Sequence, residues 1–137
     1  MAILIRRQDT TSAADPREKR RIAGRLKKIL SALRLEDSTL SVLITSREKM
    51  RDLNKIWRDK TYYPRVLSFP QVDPGGKGSA RIPRLLGDIA VSEKPGVSDR
   101  LLVHSVLHLL GHEHDTDEGY ADMRRRENEI LAAIKKL

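Results

Sequence analysis

The fold is decided by the stretch from residue 98 to residue 114, which reads Ser98-Asp-Arg-Leu-Leu-Val-His104-Ser-Val-Leu-His108-Leu-Leu-Gly111-His-Glu-His114. Ser98 is typical of a helix N-cap, and Gly111 is typical of the position that follows a helix. Between them the chain is apolar on nearly every side, and a helix of that kind is buried in a core. We therefore predict a buried helix that ends at Gly111.

The segments around this helix alternate between strand and helix patterns. Short apolar or β-branched runs predict four strands, at residues 2–5, 40–45, 66–69 and 85–92. Apolar residues at helical spacing predict three further helices, at residues 16–33, 46–57 and 118–136. The order β-α-β-α-β-β-α-α predicts an α+β fold in which one small mixed four-stranded sheet packs with helices. We expect the glycine-rich stretch 73–81 to form a loop inside this domain.

Periodicity also predicts which side chains of two helices face the core. In the second helix these are Met50, Leu53 and Ile56 or Trp57. In the last helix they are Tyr120, Met123, Ile130, Leu131 and Ile134. We thus expect Trp57 to pack in the core.

Length and composition exclude several classes of protein. The 137 residues suit a single domain, 1–137. Lys and Arg total 27 against 19 Asp and Glu, and the net charge of +8 favours a polyanionic partner. The absence of cysteine excludes disulfides, cysteine metal sites and thiol nucleophiles. No apolar run approaches the ~18 residues of a membrane span, so we expect a cytoplasmic protein without membrane contact.

All four histidines lie between residues 104 and 114. His104 and His108 are four residues apart and share one face of the predicted helix. Because Gly111 ends that helix, the chain can fold back and bring His114 beside the pair. Three imidazoles with a fourth position open are the ligand set of a catalytic zinc site. His112 falls in the turn and is expected outside this set.

The residues near the histidines leave two questions open. Glu113 and Asp115 could accept hydrogen bonds from the ring N–H groups of the ligand histidines. Alternatively, both side chains are exposed to solvent in the turn. In the H-E-x-x-H motif of zinc proteases, a glutamate follows the first histidine and acts as general base. Here that position is Ser105, which disfavours a protease.

The segment from His104 to His114 resembles the signature of the YbeY family, bacterial rRNA maturation factors described as single-strand-specific endoribonucleases. Four other segments match the family in the same order: Leu53-Asn-Lys-Ile-Trp-Arg58, Val66-Leu-Ser-Phe-Pro70, Leu86-Gly-Asp-Ile89 and Met123-Arg-Arg-Arg-Glu127-Asn-Glu-Ile-Leu131. The chain departs from the family pattern at three places: Ser105, His112-Glu113 and Pro64-Arg65.

The resemblance implies one zinc ion held by His104, His108 and His114, with Arg58 as a catalytic residue facing the same cleft. It implies a single metal-dependent hydrolase domain that cleaves single-stranded RNA in rRNA maturation, at the 3′ end of 16S rRNA, and acts in ribosome biogenesis. The chemistry agrees, because RNA hydrolysis builds negative charge on phosphoryl oxygens that a metal and a guanidinium can stabilise. Whether Asp88, His112, Glu113 or Asp115 support the ligands stays open.

Two other functions stay open on the sequence. One is an RNA-binding ribosome assembly factor whose metal is structural, with Glu113 or Asp115 closing the ligand shell. The other is a metal hydrolase of a different substrate, such as a peptide. Imidazole ligands also suit other divalent transition metals, and the sequence does not predict an oligomeric state.

Two basic stretches, 17–28 and 47–65, flank the predicted core helices. Aromatic residues are few, so extended base-stacking surfaces are not expected. Trp57, Tyr62 and Tyr63 could stack a base or two, although core packing is favoured for Trp57. We therefore expect binding to single-stranded RNA, rRNA and the ribosome to be led by the phosphate backbone.

Overall fold

The computed structural model describes residues 2–70, 85–94, 96–112 and 116–136. In that part of the chain the elements follow the predicted order: β1 (Ala2–Arg7), α1 (Pro16–Ala32), β2 (Thr39–Thr45), α2 (Arg47–Arg58), β3 (Val66–Pro70), β4 (Leu85–Ser92), α3 (Asp99–Leu109) and α4 (Asp117–Ile134). The predicted loop at 73–81 lies outside the described residues. No described helix is long and apolar enough to cross a membrane.

The four strands form one mixed sheet in the order β1-β2-β4-β3. β1, β2 and β4 run parallel, and β3 lies antiparallel along the edge of β4. Val42 of β2 pairs with Ile5 on one side and Ile89 on the other, which aligns apolar side chains across the sheet. The predicted α+β fold with a small mixed sheet is confirmed.

Helices cover both faces of the sheet. The larger core lies between the sheet and α1, α3 and α4, whose apolar stripes it buries. On the opposite face α2 packs Met50 against Leu67 and Ala90. The helix that carries the histidines, α3, contacts the edge strand β3 as well as α4. Its position beside the edge strand leaves one side of α3 open to the surface.

Local hydrogen bonds set the ends of the helices, and those at Ser46, Ser98 and Gly111 are as the sequence predicts. Each helix begins after a side chain that accepts a hydrogen bond from a backbone N–H of the first turn: Asp15, Ser46, Ser98 and Thr116. At the end of α3 the Gly111 N–H donates to the His108 carbonyl, and the His112 N–H donates to the Leu107 carbonyl. Gly111 has a φ of 93°, so this Schellman turn requires glycine and redirects the chain directly after His108.

The predicted inward faces of α2 and α4 are wrong at three positions. Ile56 and Trp57 are 70% and 67% exposed, because the last turn of α2 lies beyond the core. The Trp57 and Phe69 rings meet there edge to face. The second buried residue of α2 is Asn54. Tyr120 is 60% exposed in the first turn of α4, where it borders a surface cavity.

Candidate functional site

His104 and His108 lie on the open side of α3, one turn apart. Their Nε2 atoms are 2.9 Å apart, and their rings meet nearly at right angles with centroids 4.5 Å apart. Both side chains are partly buried, while their neighbours Leu107 and Val103 point into the core. The helix therefore aims two imidazole nitrogens at one point on the protein surface.

The other ring nitrogen of His104 meets a buried carboxylate. Oε2 of Glu127 on α4 lies 2.8 Å from Nδ1 of His104, and Glu127 is only 4% exposed. Arg100, one turn before His104 on α3, donates to Oε1 of the same carboxylate at 3.0 Å. When the Nδ1–H of His104 donates to this carboxylate, Nε2 is the nitrogen that carries the lone pair of the neutral ring.

This geometry fits two of the three imidazole ligands of a zinc ion. Tetrahedral zinc with bonds of ~2.0–2.1 Å spaces ligand nitrogens by about 3.3 Å, within a few tenths of an ångström of the distance between the two Nε2 atoms. The Glu127–His104 pair is the arrangement that fixes ligand histidines in metal proteins. In the described part of the chain no third metal-ligating side chain joins the pair. The predicted ligand His114 lies outside it, with Glu113 and Asp115.

A surface cleft of about 550 Å³ brings the histidine pair together with Arg58. The polar and aromatic side chains along it are Arg58, Tyr62, Tyr63, Arg65, Ser68, His104 and His108. Arg58 is the last residue of α2, and the left-handed Asp59 turns the chain immediately after it. Arg47 stacks over the Tyr63 ring at 3.9 Å and so supports one wall. The structure thus places Arg58, His104 and His108, all predicted site residues, along one cleft.

Comparison with known proteins identifies the family of this chain. A family model described as Endoribonuclease YbeY matches residues 4–135. The chain belongs to the YbeY family. Curated YbeY relatives, each named Endoribonuclease YbeY, include a protein of Anaeromyxobacter dehalogenans that is 35% identical over 85% of this chain and 65% of its own length. Another, from Thermobifida fusca, is 34% identical over 88% of both chains.

Two further similarities concern the length of the chain and its fold. A YbeY relative from Sulfurihydrogenibium is 41% identical over 66% of each chain, so this chain spans about two-thirds of the length of some relatives. A Thermotoga maritima protein solved in solution has a TM-score of 0.54 and covers 96% of this chain and 88% of its own. That protein is 18% identical to this chain, so the likeness shows a shared fold.

Two residues of the site were not predicted as functional from the sequence. The other buried residues of α4 are apolar, and Glu127 lies in the same stripe. A carboxylate at such a position is the sequence feature that could have marked Glu127 as functional. Asn54 belongs to the Leu-Asn segment shared with the YbeY family, and its buried amide donates to the Tyr62 carbonyl at 3.2 Å. This hydrogen bond connects α2 to the segment that follows Arg58. Since Tyr62 lines the cleft, Asn54 helps to position one wall of it.

Three other described residues that the sequence singled out are not among those that line the cleft. Ser105 is fully buried; its hydroxyl donates to the Leu101 carbonyl at 2.7 Å, so it cannot replace the base of a zinc protease. Asp88 is exposed on β4 and lines a separate cavity with Arg6 and Trp57. His112 is exposed in the turn after α3.

Proposed function

We propose that this YbeY-family chain is a zinc-dependent endoribonuclease that cleaves single-stranded RNA. The observation that carries the proposal is the 2.9 Å approach of the His104 and His108 Nε2 atoms beside Arg58 in one cleft. The relatives' shared name, Endoribonuclease YbeY, supports RNA as the substrate. The net charge of +8 supports it as well, because it attracts a polyanion.

In this proposal His104, His108 and His114 hold the zinc ion. When bound, zinc supplies a Lewis acid for a phosphoryl oxygen and a hydroxide nucleophile near neutral pH. Glu127 holds the Nδ1–H of His104, so that Nε2 is the ring nitrogen that would coordinate the metal. The Schellman turn at Gly111 directs the chain back after His108, as a third ligand at His114 requires.

Arg58 has the role of stabilising charge on the phosphate in this mechanism. Its guanidinium is exposed at the end of α2 and lines the cleft beside both histidines. A planar guanidinium can donate two parallel hydrogen bonds to the phosphoryl oxygens on which charge builds as the bond breaks. Tyr62 and Tyr63 offer aromatic rings for a neighbouring base, which gives little sequence readout.

We further propose that the substrate in the cell is rRNA on the ribosome, with 16S rRNA 3′-end maturation as the step served. This places the protein in the cytoplasm. The support is the family membership together with the basic stretches 17–28 and 47–65, which provide phosphate contacts beyond the cleft.

The test is a cleavage assay on protein purified without an affinity tag. We expect about one zinc per chain, cleavage inside a labelled single-stranded RNA but not inside a duplex, and loss of cleavage on chelation that added zinc reverses. His108→Ala serves as the inactive control. Bound zinc without RNA cleavage would instead indicate an assembly factor with a structural metal, and hydrolysis of peptides would indicate a different hydrolase.

A further inference from the structure

The surface around the histidine pair continues past His104 onto α4. We call the cleft that contains Arg58 and the histidine pair the Arg58 cleft. Leu101 and His104 line this cleft and also a second cavity of about 160 Å³. Tyr120 and Arg124 are among the other residues that line the second cavity. Tyr120 and Arg124 in turn line a shallower depression that extends along α4 to Asn128. We name the second cavity and this depression together the α4 groove. The Arg58 cleft and the α4 groove thus share the side chains of Leu101 and His104.

The α4 groove carries the same pair of chemical groups as the Arg58 cleft. Tyr120 is 60% exposed, and the Arg124 side chain is 53% exposed. Arg124 reaches Glu127 only at 3.8 Å, whereas Arg100 and His104 bond that carboxylate at 3.0 Å and 2.8 Å. Glu127 is therefore satisfied without Arg124. An exposed aromatic ring beside an arginine is the combination with which proteins hold single-stranded nucleic acid.

We infer that the α4 groove binds one or more nucleotides of the RNA on the far side of the scissile phosphate from the Arg58 cleft. This inference rests on the proposed function. An enzyme that cuts within a strand must accommodate the strand on both sides of the cut, and the two surfaces that meet at His104 provide this. Tyr120 stacks on a base, and Arg124 contacts a phosphate.

The test measures binding of a fluorescein-labelled single-stranded oligouridine of about 12 nucleotides, 2′-O-methylated and checked for integrity after each titration. Tyr120→Ala should weaken binding about 5- to 100-fold, without changing the salt dependence, because it removes stacking and no charge. Tyr120→Phe keeps the ring and should bind as the parent chain does. Arg124→Ala should reduce the slope of log affinity against log salt by about 0.7, the value of one phosphate contact on a single strand.

Lys135→Ala is the matched control for charge. Lys135 is exposed at the C-terminal cap of α4, ~16 Å along the helix axis from Arg124, so its removal should leave the salt slope nearly unchanged. If Tyr120→Ala and Arg124→Ala bind as Lys135→Ala does, the α4 groove is not an RNA site. If Arg124→Ala loses zinc, Arg124 acts by supporting Glu127 at the metal site, and the proposed contact between Arg124 and a phosphate is wrong. If the parent chain does not bind the oligonucleotide, the proposed substrate fails, and the inference fails with it.

Discussion

Oε2 of Glu127 lies 2.8 Å from Nδ1 of His104, although the two residues belong to different helices and are 23 positions apart in the chain. A carboxylate that is only 4% exposed is costly to bury unless charged or hydrogen-bonding partners compensate it. Arg100 and His104 provide that compensation from α3. The contact between Glu127 and His104 therefore holds α3 against α4 and also orients the ring of a proposed metal ligand.

We expect Glu127→Gln to lower zinc affinity about 10- to 100-fold, the usual cost of losing a carboxylate behind a ligand histidine. Glutamine keeps the size of the side chain but not the charge that polarises the His104 N–H. Competition with a chromogenic chelator measures the affinity. Glu129→Gln, an exposed neighbour paired with Arg126, is the control and should bind zinc normally. Equal affinities in both variants would contradict the role of Glu127.

The proposed ligand set makes a prediction for each histidine. His104→Ala, His108→Ala and His114→Ala should each lose most of the bound zinc, because three imidazoles are needed to hold it. His112→Ala should keep it, since His112 is exposed in the turn after α3. Metal content of each purified variant is the measurement. An empty site in His112→Ala with a filled site in His114→Ala would show that the assignment is wrong.

For Arg58→Ala we expect unchanged zinc content and melting temperature but a strong loss of cleavage. The side chain is exposed, and the buried positions of α2 are Met50 and Asn54, so stability should hardly change. Losing one donor aimed at developing charge costs ~2.7–4 kcal/mol, or roughly 10²–10³ in rate. Loss of one exposed phosphate contact should cost RNA affinity far less, about 1–2 kcal/mol.

Single-turnover cleavage at saturating RNA separates these two effects of Arg58. Lys55→Ala removes an exposed cation from the same last turn of α2 and is the control. If cleavage at saturation is unchanged and only affinity falls, Arg58 is a binding residue. If zinc content falls too, Arg58 supports the structure of the site.

Glu93 should make the stability of the fold depend on pH. Burial raises the pKa of Glu93, but hydrogen bonds from the Thr11 hydroxyl and from the Thr11 and Ser12 N–H groups outweigh burial and hold the pKa below its ordinary value. A carboxyl whose pKa is lower in the folded chain stabilises the fold above its unfolded pKa of about 4.5. That contribution is lost as the pH falls through the folded pKa.

Glu93→Gln should therefore lower the free energy of unfolding by about 1–3 kcal/mol at pH 7, because it removes a charged acceptor of several hydrogen bonds. The difference from the parent chain should shrink progressively as the pH falls below ~4.5. Urea unfolding at a series of pH values measures this, with Glu118→Gln as an exposed control. A difference that stays constant down to the lowest pH would contradict the assignment.

The sequence by itself determined the features that depend on local chemistry. The caps at Ser46 and Ser98 and the glycine after α3 act through hydrogen bonds within a few residues, so composition and spacing predict them. The convergence of His104 and His108 is equally local, because a spacing of four places both on one helix face. The YbeY resemblance likewise rested on local sequence, in the segment from His104 to His114 and four others.

Only the tertiary structure decided which side chains from different elements meet. Helical periodicity places Glu127 in the buried stripe of α4 but cannot reveal that α3 supplies its partners. Trp57 and Tyr120 have apolar character typical of a core, yet both are exposed because the turns that carry them lie beyond it. Likewise Arg58 lies in one cleft with the histidine pair because the end of α2 and one side of α3 both border the edge strand β3. Burial and contact depend on what packs opposite, and that partner is distant in sequence.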